Sequence, residues 1–68
     1  MPTIRVELFE GRSAELKAAL AREVTEACVR VLGGNASSVD VLFFDIKRGD
    51  WATGGVLWSQ AGAPVPKP

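Results

Sequence analysis

Pro2, Arg12, Asp40, Arg48 and Trp51 are the residues of this sequence whose types and positions point to chemistry. Pro2 directly follows Met1, so removal of the initiator methionine would free a secondary amine. A free α-amino group titrates near about pH 8, and desolvation or nearby cations lower that value because both disfavour the charged form. An amine tuned in this way is neutral often enough at pH 7 to accept a proton. With Met1 retained, the same nitrogen is a tertiary amide and no base. Proline's small size normally permits removal.

The rest of the composition narrows the choice of base. The sequence has no histidine and no tyrosine, so proton transfer falls to carboxylates, lysine or an N-terminal amine. Arg12 offers a bidentate grip on a carboxylate, and Arg48 is a second cation of the same kind. An arginine beside a helix start is poorly placed for the helix dipole, which mildly favours a binding role for Arg12. Trp51 suits an apolar wall that keeps water from the amine. Asp40 has two readings: an ion-pair partner of Arg5 or Arg48, or a group that positions a water or polarises a ligand.

These residues need elements to hold them. Thr3 to Phe9 alternates, with Ile4, Val6 and Leu8 on one face and Arg5 and Glu7 on the other, which predicts a strand. A proline is tolerated just ahead of it because no ladder hydrogen bond is asked of it there. Ser13 is a helix N-cap with Glu15 in the first turn. Leu16, Leu20, Val24, Ala27, Cys28 and Val31 then recur at helical spacing up to Gly33-Gly34, a C-cap. Asn35 to Ser38 reads as a loop. Val39 to Ile46 is a second strand whose run Val41-Leu42-Phe43-Phe44 is apolar on both faces, as in a parallel strand covered on two sides. Strand, helix, strand makes a right-handed βαβ unit. Lys47 to Gly55 is a turn-rich loop, and Gly54-Gly55 ahead of Val56-Leu57-Trp58 predicts a short hairpin or edge strand.

The expected organisation is one domain over residues 1–60 and a proline-rich tail over 61–68. One helix covers one face of a two-stranded sheet, so the other face needs a second copy of the chain. Staples are absent: Cys28 is the lone cysteine, and without histidine the usual zinc sets cannot be assembled. Cys28 falls on the apolar stripe of the helix and reads as packing. Eight basic and eight acidic residues cancel, which argues against nucleic acid or a membrane surface as partner. Charges recur through the first twenty residues, so no signal peptide or spanning helix is expected there and the chain reads as cytoplasmic.

Pro2, the strand, Glu10-Gly11-Arg12-Ser13, the long helix, the second strand and Arg48-Gly49-Asp50-Trp51-Ala52-Thr53-Gly54-Gly55 together resemble the 4-oxalocrotonate tautomerase family, over residues 2 to about 58. The order and spacing carry the resemblance, not any single motif. It implies an α/β fold of β-α-β subunits assembled into hexamers, as trimers of dimers, with an N-terminal proline as catalytic base. It further implies an isomerase that moves a proton between positions of a small unsaturated 2-oxo or 2-hydroxy acid, with no metal or organic cofactor. By the same resemblance Pro2 is the base, Arg12 holds a substrate carboxylate, and Trp51 replaces an aromatic that is commonly phenylalanine.

One departure bears on the substrate. The family has a second arginine at the start of the second strand, and this sequence has Asp40. A negative charge there repels a dianionic substrate and cannot stabilise a developing enolate, which leaves Arg48 as the reserve cation. Two alternatives follow: a cofactor-free dehalogenase or hydratase acting on 3-haloacrylate-like acids, or a non-catalytic subunit of a hetero-hexamer whose sister chain supplies the missing arginine. Geometry adds one more expectation. At roughly 3.3 Å per residue, a strand over Thr3–Phe9 puts Pro2 and Arg12 about 25 to 30 Å apart, so a site using both lies between chains.

Overall fold

The computed structural model describes residues 2–60. The tail expected over 61–68 and the processing of Met1 lie outside the described residues. Strand β1 (Thr3–Phe9) leads into helix α1 (Ala14–Leu32), which returns the chain to strand β2 (Asp40–Ile46). The two strands are parallel, in register from Thr3 opposite Asp40 to Phe9 opposite Ile46. Strands β3 (Ala52–Thr53) and β4 (Val56–Leu57) form an antiparallel hairpin.

Local chemistry sets each boundary. The Ser13 hydroxyl accepts from the Leu16 N–H at 3.2 Å, so the helix starts on a side-chain cap. It ends where Gly33 takes φ +83° while its N–H still donates to the Val29 carbonyl at 2.9 Å, a conformation that costs a residue with a Cβ about 1–3 kcal/mol. Gly54 and Gly55, at φ +60° and +82°, turn the hairpin in two residues, the geometry whose twist matches flanking strands. The stretch read as a loop at Asn35–Ser38 contains a short 3-10 turn, Ala36–Ser38, and a second one occupies Arg48–Asp50.

Ile4, Val6 and Leu8 are half-buried and share the helix-facing side of the sheet with Val41 and Phe43. Asp45 is on the same side and pairs with Lys17 of α1 at 2.6 Å. Thr3, Arg5, Glu7 and Phe9 lie on the opposite side with Asp40, Leu42, Phe44 and Ile46. Among the described residues no other element covers the middle of that outer side, where Leu42 and Phe44 are exposed.

The apolar arc of α1 is also wider than the sheet it sits on. Lys17, Ala21, Val24 and Cys28 are half-buried, whereas Leu16, Leu20 and Val31, which the helical spacing places on the same stripe, are exposed, Val31 at 76%. Two strands are too narrow to cover them. Among the described residues none is buried, so the protomer has two apolar surfaces and no closed core. Full burial of one such Leu, Val or Phe side chain is worth about 1.5–3 kcal/mol, and a second chain is the natural source of that burial.

Candidate active site

The parallel register sorts the five candidates by strand end. Pro2 and Asp40 stand together where both strands begin: the Asp40 N–H donates to the Pro2 carbonyl at 3.0 Å. Arg12 lies beyond the far end of β1, and Arg48 and Trp51 follow the far end of β2. The whole of β1, seven residues or about 23 Å at strand rise, separates the two groups within one protomer.

At the near end Pro2 is half-buried and Asp40 exposed. The ion pairs read as one option for Asp40 do not form among the described residues. Arg5 instead lies over the Phe44 ring at 4.5 Å, and Arg48 over the Phe9 ring at 4.5 Å. Arg5 stays in the middle of the outer sheet side and Arg48 at the other end of the strands, so both guanidiniums are out of position for Asp40. The Asp40 carboxylate is therefore an uncommitted negative charge one ladder position from Pro2.

Arg12 is also free of an ion pair among the described residues, including the one with Glu10 that its position allows. It borders an open cleft of about 230 Å³ on the helix side of the sheet, together with Leu8, Leu16, Lys17, Leu20 and Phe43. Lys17 is held by Asp45, so Arg12 is the cation in this cleft left for a ligand. The rest of its lining is apolar, so a carboxylate entering this cleft finds its charge-assisted partner in Arg12.

Trp51 and Arg48 are brought together on the other side of the sheet by Phe9. Phe9 closes β1, and its ring lies 4.6 Å from Trp51, 4.9 Å from Trp58 and 4.5 Å from the Arg48 guanidinium. The Trp51 N–H donates to the Arg48 carbonyl at 3.4 Å, and the Trp58 N–H to the Trp51 carbonyl at 2.9 Å. Trp58 is further fixed by its Nε1–H, which donates to Thr53 Oγ1 at 2.8 Å. Phe9 read only as the last apolar residue of a strand. The available signal was its place in the alternation, which puts it on the side of Arg5 and Glu7.

The arrangement thus holds a strand-opening proline beside a carboxylate, a cation in an apolar cleft, and a second cation within an aromatic cluster, with no protomer uniting the three. Among the described residues there is no cluster of acidic and cysteine side chains able to hold a metal ion, and no helix long and apolar enough to cross a membrane.

Comparison with known proteins bears on what this arrangement does. A family model described as tautomerase enzyme matches residues 2–61. A probable tautomerase of Ralstonia nicotianae is 42% identical over 60 residues, covering 88% of this chain and 92% of the relative. Among solved structures, a 4-oxalocrotonate tautomerase homologue superposes with a TM-score of 0.83 at 40% identity, covering 93% of this chain and 100% of that one. A heterohexamer 4-oxalocrotonate tautomerase from Chloroflexus aurantiacus superposes with a TM-score of 0.83 at 28% identity, over 90% of this chain and 98% of that one.

Proposed function

Because the chain belongs to the tautomerase enzyme family, we propose that it is a 4-oxalocrotonate tautomerase-like isomerase of small unsaturated 2-hydroxy or 2-oxo acids, with Pro2 as its general base. The observation that carries this reading is the position of Pro2, directly ahead of β1 at the edge of a protomer whose outer sheet side leaves Leu42 and Phe44 exposed. After removal of Met1 the Pro2 nitrogen takes a proton from the substrate's 2-hydroxyl. The O–H electrons shift into the conjugated chain, and a proton is returned to carbon, giving the 2-oxo isomer. Arg12 from another protomer holds the carboxylate, Trp51 walls the reacting carbons, and Arg48 offers the second cation that Asp40 cannot be. No cofactor enters this scheme.

The site is assembled between chains, because β1 keeps Pro2 apart from Arg12 and Trp51 within one. A hexamer fits this need, and a relative that is a heterohexamer makes a mixed assembly with a sister chain the second reading. The chain works in the cytoplasm, without nucleic acid or membrane as partner.

Ketonisation of an aryl enolpyruvate, followed by loss of the enol absorbance, tests the proposal. Pro2→Ala is expected to lower turnover by about a hundredfold, the usual contribution of a positioned base, with the native mass unchanged. Undiminished turnover in that variant ends the proline-base reading. Halide release from a 3-haloacrylate would identify the dehalogenase reading instead, and activity appearing only on mixing with a sister chain would identify the hetero-oligomer.

A further inference from the structure

We propose that Phe9 is a positioning residue that presents the Arg48 guanidinium and the Trp51 indole as one receptor for a planar unsaturated monocarboxylate with an apolar tail. The inference rests on the tautomerase reading for the kind of ligand, and on the aromatic cluster for the geometry.

A guanidinium stacked over a ring is held by its face, so the N–H donors around its edge remain free for a carboxylate. Arg48 is in that state: 4.5 Å over Phe9, exposed and without an ion pair among the described residues. Arg5 is stacked in the same way on Phe44, but in the middle of the sheet side that is open to a second chain. Of the two, Arg48 shares its ring with a tryptophan, Trp51, at 4.6 Å and tilted by 51°.

Phe9 is itself well fixed. It is paired with Ile46 in the parallel ladder, and the next hydrogen bond, from the Glu10 N–H to the Ile46 carbonyl at 3.0 Å, continues past it. Trp58 also packs against its ring, edge-on at 4.9 Å. Cation and indole therefore each pack against one ring fixed on a strand. A carboxylate held by Arg12 of another protomer and shared with the Arg48 edge would set its conjugated carbons against the Trp51 indole. A second carboxylate on that ligand would have to leave water for an indole surface, which disfavours a dianion.

Binding without turnover is the test, with trans-cinnamate as probe and trans-cinnamyl alcohol as its uncharged control, read by the fluorescence of Trp51 and Trp58 in the full-length assembled protein. The wild type is expected to prefer the carboxylate. Arg48→Gln, at an exposed position, should weaken cinnamate about tenfold and leave the alcohol unchanged, the size of a lost charge-assisted contact. Phe9→Leu should weaken cinnamate about threefold, a cation–π contribution at an exposed site, and Phe9→Tyr, which keeps the ring, should restore it. Equal loss in Phe9→Leu and Phe9→Tyr, or unchanged cinnamate binding in Arg48→Gln, would overturn the proposal. Pro2 takes no part in this measurement, so a failed proline-base reading and a failed receptor are told apart.

Discussion

The Asp40 main-chain N–H donates to the Pro2 carbonyl oxygen at 3.0 Å, which fixes the carboxylate-bearing residue beside the proposed base. Within the protomer the hydrogen bond links backbones only, and the carboxylate finds no cationic partner among the described residues.

A negative charge close to an amine favours its protonated form and so raises its pKa. A base must be neutral to act, so activity is lost as pH falls through that pKa. Asp40→Asn removes the charge, lowers the amine's pKa, and is expected to move the acid limb of the kcat/KM profile down by about half a pH unit, the size of one partly screened unit charge. An upward shift would reverse the sign of the argument, and no shift would place Asp40 out of range of the assembled site.

Arg12 borders a cleft that is apolar apart from itself and the paired Lys17. Arg12→Gln is expected to raise KM for an enolpyruvate by about tenfold while changing kcat less, because a carboxylate grip is formed in the ground state and kept in the transition state. A loss confined to kcat would mean that Arg12 meets the developing enolate instead.

The outer sheet side gives a prediction about assembly. Phe44 and Leu42 are exposed there, and Phe44→Asp would set a carboxylate beside Arg5, which now lies over the Phe44 ring. The monomer gains a local ion pair, while each interface loses a side chain whose burial is worth about 1.5–3 kcal/mol. Native mass should show dissociation at a protein concentration at least about tenfold higher than for the wild type. An unchanged assembly would place that sheet side outside the interface.

What could be read from the sequence is what local physics decides. The alternation of Ile4, Val6 and Leu8, the Ser13 cap, the Gly33 stop and the Gly54-Gly55 turn each depend on neighbours in sequence, and all are where they were expected. The separation of Pro2 from Arg12 followed from strand rise alone. The role of Phe9 was hidden because it depends on where Arg48, Trp51 and Trp58 return to the end of β1, a tertiary relation no period reports. The same limit applies to Arg5: charge suggested Asp40 as its partner, whereas the parallel register sets it diagonally to Phe44, whose ring it covers. Leu16, Leu20 and Val31 fit the helical stripe, yet a two-stranded sheet is too narrow to reach them.

The hairpin ties backbone conformation to the aromatic cluster. Gly55 holds φ +82°, so Gly55→Ala strains the turn by about 1–2 kcal/mol. The register Ala52 to Leu57 and Thr53 to Val56 depends on that turn, as do the bond from Trp58 Nε1–H to Thr53 Oγ1 and the one from the Trp58 N–H to the Trp51 carbonyl. Loosening the hairpin therefore releases both tryptophans from Phe9 while leaving β1, α1 and β2 in place. The expected result is a red-shifted tryptophan emission and a several-fold weaker hold on an aryl acid, about what 1 kcal/mol delivers, at an unchanged helical circular-dichroism signal. Weaker binding with unaltered emission would separate the hairpin from the cluster and assign the effect to Gly55 itself.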